Sequence, residues 1–81
     1  MTQTVHVQYF AILREQRGLA RETLATTAAT AVDLYAELQA KHDFSLPADR
    51  LRVAINDEFT AWSAPLRDGA TVVFIPPVAG G

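Results

Sequence analysis

Apolar and polar residues alternate near the start of the chain. Val5, Val7 and Tyr9 alternate with polar residues, which is the period of a strand with one buried face. Phe10 follows Tyr9 directly and falls on the other face. The pattern predicts a strand over residues 5–9, with Phe10 either packed under a local turn or exposed to a partner.

Residues 11–17 are mostly good helix formers, and Gly18 follows them where a glycine commonly ends a helix. We therefore expect a short helix directly after the first strand. Residues 22–26 form a weaker strand candidate, in which Leu24 is the inward residue.

The strongest helix pattern follows Thr30. Four apolar residues recur at spacings of three and four and form one stripe on a helix, and these are Ala31, Leu34, Tyr35 and Leu38. Thr30 can cap the first turn, and Asp33 places a negative charge near the helix N-terminus. The main helix is predicted over about residues 31–41.

Residues 43–50 indicate a loop, because Pro47 prevents the helix from continuing. Residues 51–55 alternate again and predict a strand. Asn56 and Asp57 favour a turn, after which residues 58–61 can form a short returning strand.

The last predicted strand covers residues 71–75, after a turn at residues 65–69. It is apolar on both faces, which is typical of a central strand or of one with a partner-binding side. Alternation places Val72 and Phe74 together on one face. Pro76 and Pro77 end this strand because proline donates no hydrogen bond to a sheet.

Composition narrows the class of protein. The chain has 81 residues, no cysteine, two histidines and a net charge of −2. These numbers indicate one small domain without disulfides, and they disfavour a zinc site and a nucleic-acid partner. No apolar run approaches the roughly 20 residues of a membrane span, and the N-terminus lacks signal-peptide features. A cytoplasmic location and no membrane partner are the expectation.

The order of elements predicts an α+β fold. We expect one mixed sheet of four to five strands, with the main helix on one face and the short helix after the first strand. With the first and last strands adjacent in the middle of the sheet, this is the ubiquitin-like β-grasp arrangement. Periodicity alone leaves that strand order open.

Four segments carry a family likeness. They are VQYFAILRE at residues 7–15, VAIN at 53–56, PLRDG at 65–69 and FIPPVAGG at 74–81. Together they resemble the small subunits of molybdopterin synthase, which are sulfur carriers with a ubiquitin-like fold. The C-terminal motif is the specific part, and Ala79 stands where Thr or Ser is expected.

The resemblance implies that Gly81 carries the chemistry. A ubiquitin-activating-type adenylyltransferase would adenylate its carboxylate, and sulfur would then replace the adenylate to give a thiocarboxylate. The large subunit of molybdopterin synthase, expected in a heterotetramer, would take this sulfur for cyclic pyranopterin monophosphate. The chain would thus be the sulfur-donating subunit of a sulfurtransferase whose catalytic residues lie on the large subunit. No permanently bound cofactor is expected.

The residues before Gly81 and an apolar patch beside them are the other two sets of predicted site residues. Residues 1–75 are expected to form the domain, and residues 76–81 a flexible extended tail in which Pro76, Pro77, Val78, Ala79 and Gly80 lead to Gly81. Phe10, Phe59 and Ile75 are expected to form an apolar patch beside the tail for a protein partner. The plainer interpretation of those three residues is ordinary core.

Other functions remain open from the sequence. A sulfur carrier for thiamin or cysteine synthesis has the same Gly-Gly end, and so does a ubiquitin-like modifier that joins Gly81 to a lysine. A plain interaction module with an inactive terminus is a further alternative.

Overall fold

The computed structural model describes residues 2–77. The elements in chain order are β1 (Gln3–Tyr9), α1 (Ala11–Arg17), β2 (Arg21–Thr26), α2 (Ala31–His42), a short 3-10 helix (Ala48–Arg50), β3 (Arg52–Ile55), β4 (Glu58–Thr60) and β5 (Thr71–Ile75). The predicted helices and strands are all present, with ends shifted by one or two residues. The 3-10 helix lies within a segment predicted as loop.

The five strands form one sheet in the order β2-β1-β5-β3-β4. β1 and β5 are parallel neighbours in its interior, and the other neighbouring pairs are antiparallel. This confirms the α+β class, the mixed sheet and the predicted pairing of the first and last strands.

β5 has one face toward α2 and one toward the open side of the sheet. Val72 and Phe74 are fully buried beneath the helix, as the alternation predicts. Val73 lies on the open face beside Ala54 of β3, and both are largely shielded by their neighbours. The central position of β5 explains why it is apolar on both faces.

α2 begins and ends with local interactions that its sequence favours. The Thr30 hydroxyl accepts a hydrogen bond from the Asp33 backbone N–H at 3.3 Å. Asp43 ends the helix in the left-handed region, with φ at 58°. The predicted apolar stripe is buried against the sheet. The capping and the stripe together fix which face of α2 packs on the core.

Aromatic rings fill the space between α2 and the end of the sheet where β5 finishes. Tyr35 contacts Phe44, Trp62 and Phe74, with ring centroids 6.0, 5.8 and 5.1 Å away. Trp62 also stacks on Phe74, with centroids 5.9 Å apart. Phe44 lies in the predicted loop but is only 4% exposed, so this loop contributes a core residue. The cluster thus holds β5 in place close to its C-terminal end.

The hairpin between β3 and β4 turns at Asn56 and Asp57, as predicted. Both have positive φ, at 52° and 70°, which suits a two-residue hairpin turn. The Asn56 side-chain oxygen accepts a hydrogen bond from the Thr71 backbone N–H at 3.0 Å. This contact ties the hairpin to the start of β5. Within residues 2–77, no helix is long and apolar enough to cross a membrane.

Candidate functional site

The C-terminal end of β5 is where the chain leaves the sheet. Ile75 pairs with Arg52 of β3 in the last described pair of this ladder, and Pro76 and Pro77 follow outside any strand. Proline has no backbone N–H and cannot extend the ladder, so the predicted end of the strand is confirmed. The predictions for Val78, Ala79, Gly80 and Gly81 lie outside the described residues.

A groove lies beside this exit. It has a volume of about 540 Å³, and its lining is formed by Phe59, Ile75, Pro76, Pro77 and the segment 49–52. Two of the three predicted patch residues, Phe59 and Ile75, therefore share one concave surface with Pro76 and Pro77, the first two residues of the predicted tail. We call this surface the tail-base groove.

Phe59 is the most exposed large apolar side chain among the described residues, at 65%. It pairs with Ala54, which pairs in turn with Val73, and this row lies on the sheet face away from α2. β4 is the edge strand of the sheet that residues 2–77 form, so within this range only β3 flanks it. The alternative that Phe59 is ordinary core is wrong.

Arg52 is the charged neighbour of Phe59 in the groove. Its guanidinium carbon lies 5.7 Å from the centre of the Phe59 ring, within the range of a cation–π contact. Sequence reasoning did not select Arg52 as a site residue. The alternation of residues 51–55 contained the signal, because it places Arg52 on the same face as Ala54.

Phe10 is 41% exposed. Of the two predicted alternatives, packing under a local turn is therefore wrong and exposure is confirmed. Its backbone is extended, with φ at −127° and ψ at 153°. Tyr9 pairs with Phe74, so one step further along both parallel strands places Phe10 level with Ile75. Phe10 does not line the tail-base groove. The predicted patch is thus divided into a groove and a separate exposed ring.

The turn after Phe10 is unusual in its backbone. Ala11 has φ at 51°, a left-handed conformation that residues with a Cβ adopt at a cost of about 1–2 kcal/mol. This residue starts α1 and turns the chain sharply away from β1. The exposed position of Phe10 therefore coincides with local backbone strain.

A polar network holds the elements behind Phe10. The Tyr9 hydroxyl donates to Glu22 Oε2 at 2.6 Å, and Arg17 donates to both Glu22 oxygens at 2.8 and 2.9 Å. The hydrogen bond from Arg17 lowers the pKa of Glu22 to about 2, with further help from Tyr9. Burial raises the pKa of the Tyr9 hydroxyl. The network joins β1, α1 and β2, and sequence reasoning missed it because its three members lie on different elements and meet only in the folded domain.

The tail-base groove combines apolar side chains with the charged groups of Asp49, Arg50 and Arg52. Within the described part of the chain, no group of three or more histidine and acidic residues is placed to hold a metal ion. An exposed aromatic ring and three charged side chains thus lie together beside the point where the chain leaves the sheet.

Comparison with known proteins identifies the family. The model of the ThiS family matches residues 7–81. The chain is 32% identical over 80 residues to the molybdopterin synthase sulfur carrier subunit of Escherichia coli, a match that covers 95% of this chain and 99% of that protein. The predicted resemblance is confirmed.

Solved structures agree with the fold. A chain of the complex of subunits 1 and 2 of the molybdopterin-converting factor from Helicobacter pylori is 29% identical, with a TM-score of 0.65 over 98% of this chain and 100% of that one. SAMP1 of Haloferax volcanii, a small archaeal modifier protein, is 26% identical, with a TM-score of 0.77 over 96% and 99%. A ubiquitin of Caldiarchaeum subterraneum, at 17% identity and a TM-score of 0.65 over 100% of both chains, confirms the ubiquitin-like fold.

Proposed function

Because this chain belongs to the ThiS family, we propose that it is the sulfur carrier subunit of a molybdopterin synthase. The observation that carries the proposal is the likeness to the Escherichia coli carrier, which extends over 99% of that protein. The tail-base groove supports it, because a carrier needs a surface that holds its partner beside the reactive end.

The proposed chemistry takes place at the carboxylate of Gly81. An α-carboxylate has a pKa of about 3.3–3.7, so it is ionised at neutral pH and is a poor electrophile. Adenylation by a ubiquitin-activating-type enzyme converts one carboxylate oxygen into part of a leaving group. A sulfur nucleophile then displaces AMP and leaves the thiocarboxylate, which donates its sulfur to cyclic pyranopterin monophosphate.

Residues 76–81 would act as the arm that delivers this group. Six residues extend to roughly 20 Å at about 3.3–3.6 Å each, so the domain can stay outside the partner. Pro76 and Pro77 reduce the entropy lost on ordering because their φ angles are already fixed. Val78 and Ala79 continue the arm, and Gly80 and Gly81 have no Cβ to obstruct a narrow channel.

The partner would dock on the tail-base groove and on Phe10. The large subunit of molybdopterin synthase is the proposed partner, in a heterotetramer, and the Helicobacter pylori complex of subunits 1 and 2 supports this pairing. The adenylyltransferase must reach the same terminus, so we propose that it contacts the same side of the domain. The catalytic groups of the synthase then belong to the large subunit.

Intact-mass spectrometry tests the carrier chemistry. The full chain, incubated with its cognate adenylyltransferase, ATP and a sulfur donor, should gain the mass difference between sulfur and oxygen. Fragmentation should locate that change at Gly81. A chain that stays fully unmodified while a known carrier is converted by its own activating enzyme would disprove the proposal.

A transfer assay distinguishes the sulfur pathways. The thiocarboxylated chain, mixed with the cognate large subunit and cyclic pyranopterin monophosphate, should yield molybdopterin. No product where a known pair gives product would instead favour a thiamin or cysteine pathway.

The likeness to the small archaeal modifier protein favours a second candidate function, protein modification. In that case the activated Gly81 would form isopeptide bonds with lysines of other proteins. Conjugates that are stable to reduction and that contain a Gly81–lysine linkage would support it. Loss of the conjugates in a chain that lacks Gly81 is the control.

A further inference from the structure

Arg52 brings a positive charge next to the apolar side chains of the tail-base groove. Arg52 lies between Ile75 and Phe59, two residues proposed to contact the partner. It pairs with Ile75 across the sheet, and its guanidinium approaches the Phe59 ring. Its side chain forms no ion pair or hydrogen bond with any other residue in the range 2–77. The guanidinium donors therefore face solvent in the free domain.

A partner that covers the tail-base groove must also cover Arg52. Removal of a charged group from water is costly unless the group is paired and hydrogen-bonded. The contact with Phe59 satisfies one face of the guanidinium but none of its five N–H donors. The partner must therefore supply acceptors at this position or lose affinity.

We infer that Arg52 is a specificity-determining residue of the tail-base groove, and that the partner protein presents a carboxylate side chain to it. The inference rests on the proposed function, since the partner considered is the large subunit that receives the tail. The partner's carboxylate would lie next to an apolar side chain that packs on Phe59. A bidentate carboxylate fits the planar guanidinium, whose orientation over the ring is already restricted.

The other charged residues of the groove also favour a partner protein that presents a carboxylate side chain. Asp49 and Arg50 also line it, so with Arg52 the groove contains two positive groups and one negative group. This local balance is positive, whereas the whole chain has a net charge of −2. An acidic partner surface is therefore favoured here more than elsewhere on the domain.

The test compares the affinity of Arg52 variants for the cognate large subunit. Arg52→Leu should weaken binding by about tenfold or more, because the partner's carboxylate loses its charged hydrogen-bond donors. Arg52→Glu should weaken it further through repulsion, and Arg52→Lys should recover part of the affinity. Calorimetric titration at about 50 and about 300 mM salt should show a weaker salt dependence for Arg52→Leu than for the wild type.

Arg67→Glu is the matched control. Arg67 is an exposed arginine in the turn that precedes β5, outside the groove, and the substitution makes the same change in net charge. It should alter affinity by less than about twofold. Thermal unfolding of each variant verifies that it is folded.

The outcomes are separable. If the wild type binds and Arg52→Leu binds equally or more tightly, no partner carboxylate faces Arg52 and the inference is wrong. If Arg67→Glu weakens binding as much as Arg52→Glu does, the effect is one of net charge and the inference is again wrong. If the wild type does not bind the large subunit at all, the proposed function fails, and the inference falls with it.

Discussion

Arg17 at the end of α1 and Glu22 on β2 form a two-point ion pair, with Nε–Oε2 at 2.8 Å and Nη2–Oε1 at 2.9 Å. The Glu22 side chain is only 16% exposed, and it also accepts the hydrogen bond from Tyr9. One carboxylate thus connects the short helix, the edge strand and the central strand that leads to Phe10.

Glu22→Gln should make the free energy of unfolding less sensitive to a fall in pH. The pKa of Glu22 falls from its ordinary value of 4.5 to about 2 on folding, so the charged form is favoured in the folded state. Its contribution is complete above about pH 5 and is lost as the pH falls toward 2. We expect Glu22→Gln to lower the free energy of unfolding by about 1–2 kcal/mol at pH 7, measured by urea denaturation.

The difference between the wild type and Glu22→Gln should shrink as the pH falls to about 2–3. Glu58→Gln, at an exposed position at the start of β4, is the control, and it should have little effect on the free energy of unfolding. A constant difference from pH 7 to pH 2 would contradict the assigned role of the ionised carboxylate.

Ala11→Gly should stabilise the domain. The positive φ of Ala11 is accessible to glycine without the Cβ clash, although glycine also gains freedom in the unfolded chain. The net expectation is a gain of about 0.5–1 kcal/mol in the free energy of unfolding. Ala36→Gly in the interior of α2 is the matched control and should lose about 1 kcal/mol. A loss of the same size at both positions would show that Ala11 is unstrained in solution.

Local sequence signals account for most of the fold. Thr30, Asp33 and the apolar stripe of α2 lie within a few residues of one another, so their pattern was sufficient to place the helix. Asn56 and Asp57 marked the hairpin for the same reason. The central position of β5 was also indicated, because few edge strands are apolar on both faces.

Contacts between distant residues account for what the sequence left open. Phe44 gave no periodic signal, because its burial depends on the rings of Tyr9 and Tyr35. The contact of Arg52 with Phe59 depends on the β3–β4 register. For Phe10, exposure depended on where α1 packs, and alternation alone could not decide it.

Phe44→Ala should be strongly destabilising, although the residue lies in a connecting segment. The ring is 4% exposed, and its centroid lies 5.7 Å from that of Tyr9. Removal of a buried phenylalanine side chain costs about 3–5 kcal/mol. Ser45→Ala, at the exposed neighbouring position, should cost less than about 1 kcal/mol. Equal denaturation midpoints for the two variants would mean that this segment does not pack on the core.

Phe59→Ala should separate binding from stability. Because the ring is 65% exposed, the substitution should change the free energy of unfolding by less than about 1 kcal/mol. If Phe59 anchors the partner, affinity for the large subunit should fall by about tenfold or more. Leu19→Ala, which truncates a side chain that is 43% exposed between α1 and β2, should leave affinity unchanged. Similar losses of affinity for both variants would argue against a specific groove.

Deletion of Gly81 should abolish sulfur loading and leave the domain intact. The hydrophobic core, the sheet and the aromatic cluster all lie within residues 2–77, so the free energy of unfolding should change by less than about 0.5 kcal/mol. Activation should fail because the deletion leaves only one glycine, Gly80, at the C-terminus, whereas the adenylyltransferase is proposed to need both Gly80 and Gly81 before the carboxylate.

One alanine added after Gly81 is the companion variant, since it keeps both glycines but moves the carboxylate onto a residue with a Cβ. Denaturant titration and intact-mass spectrometry after activation measure the two properties separately. A large loss of stability in the deletion would show that the last residue supports the fold, and full loading of the extended chain would show that Gly81 is not the required acceptor.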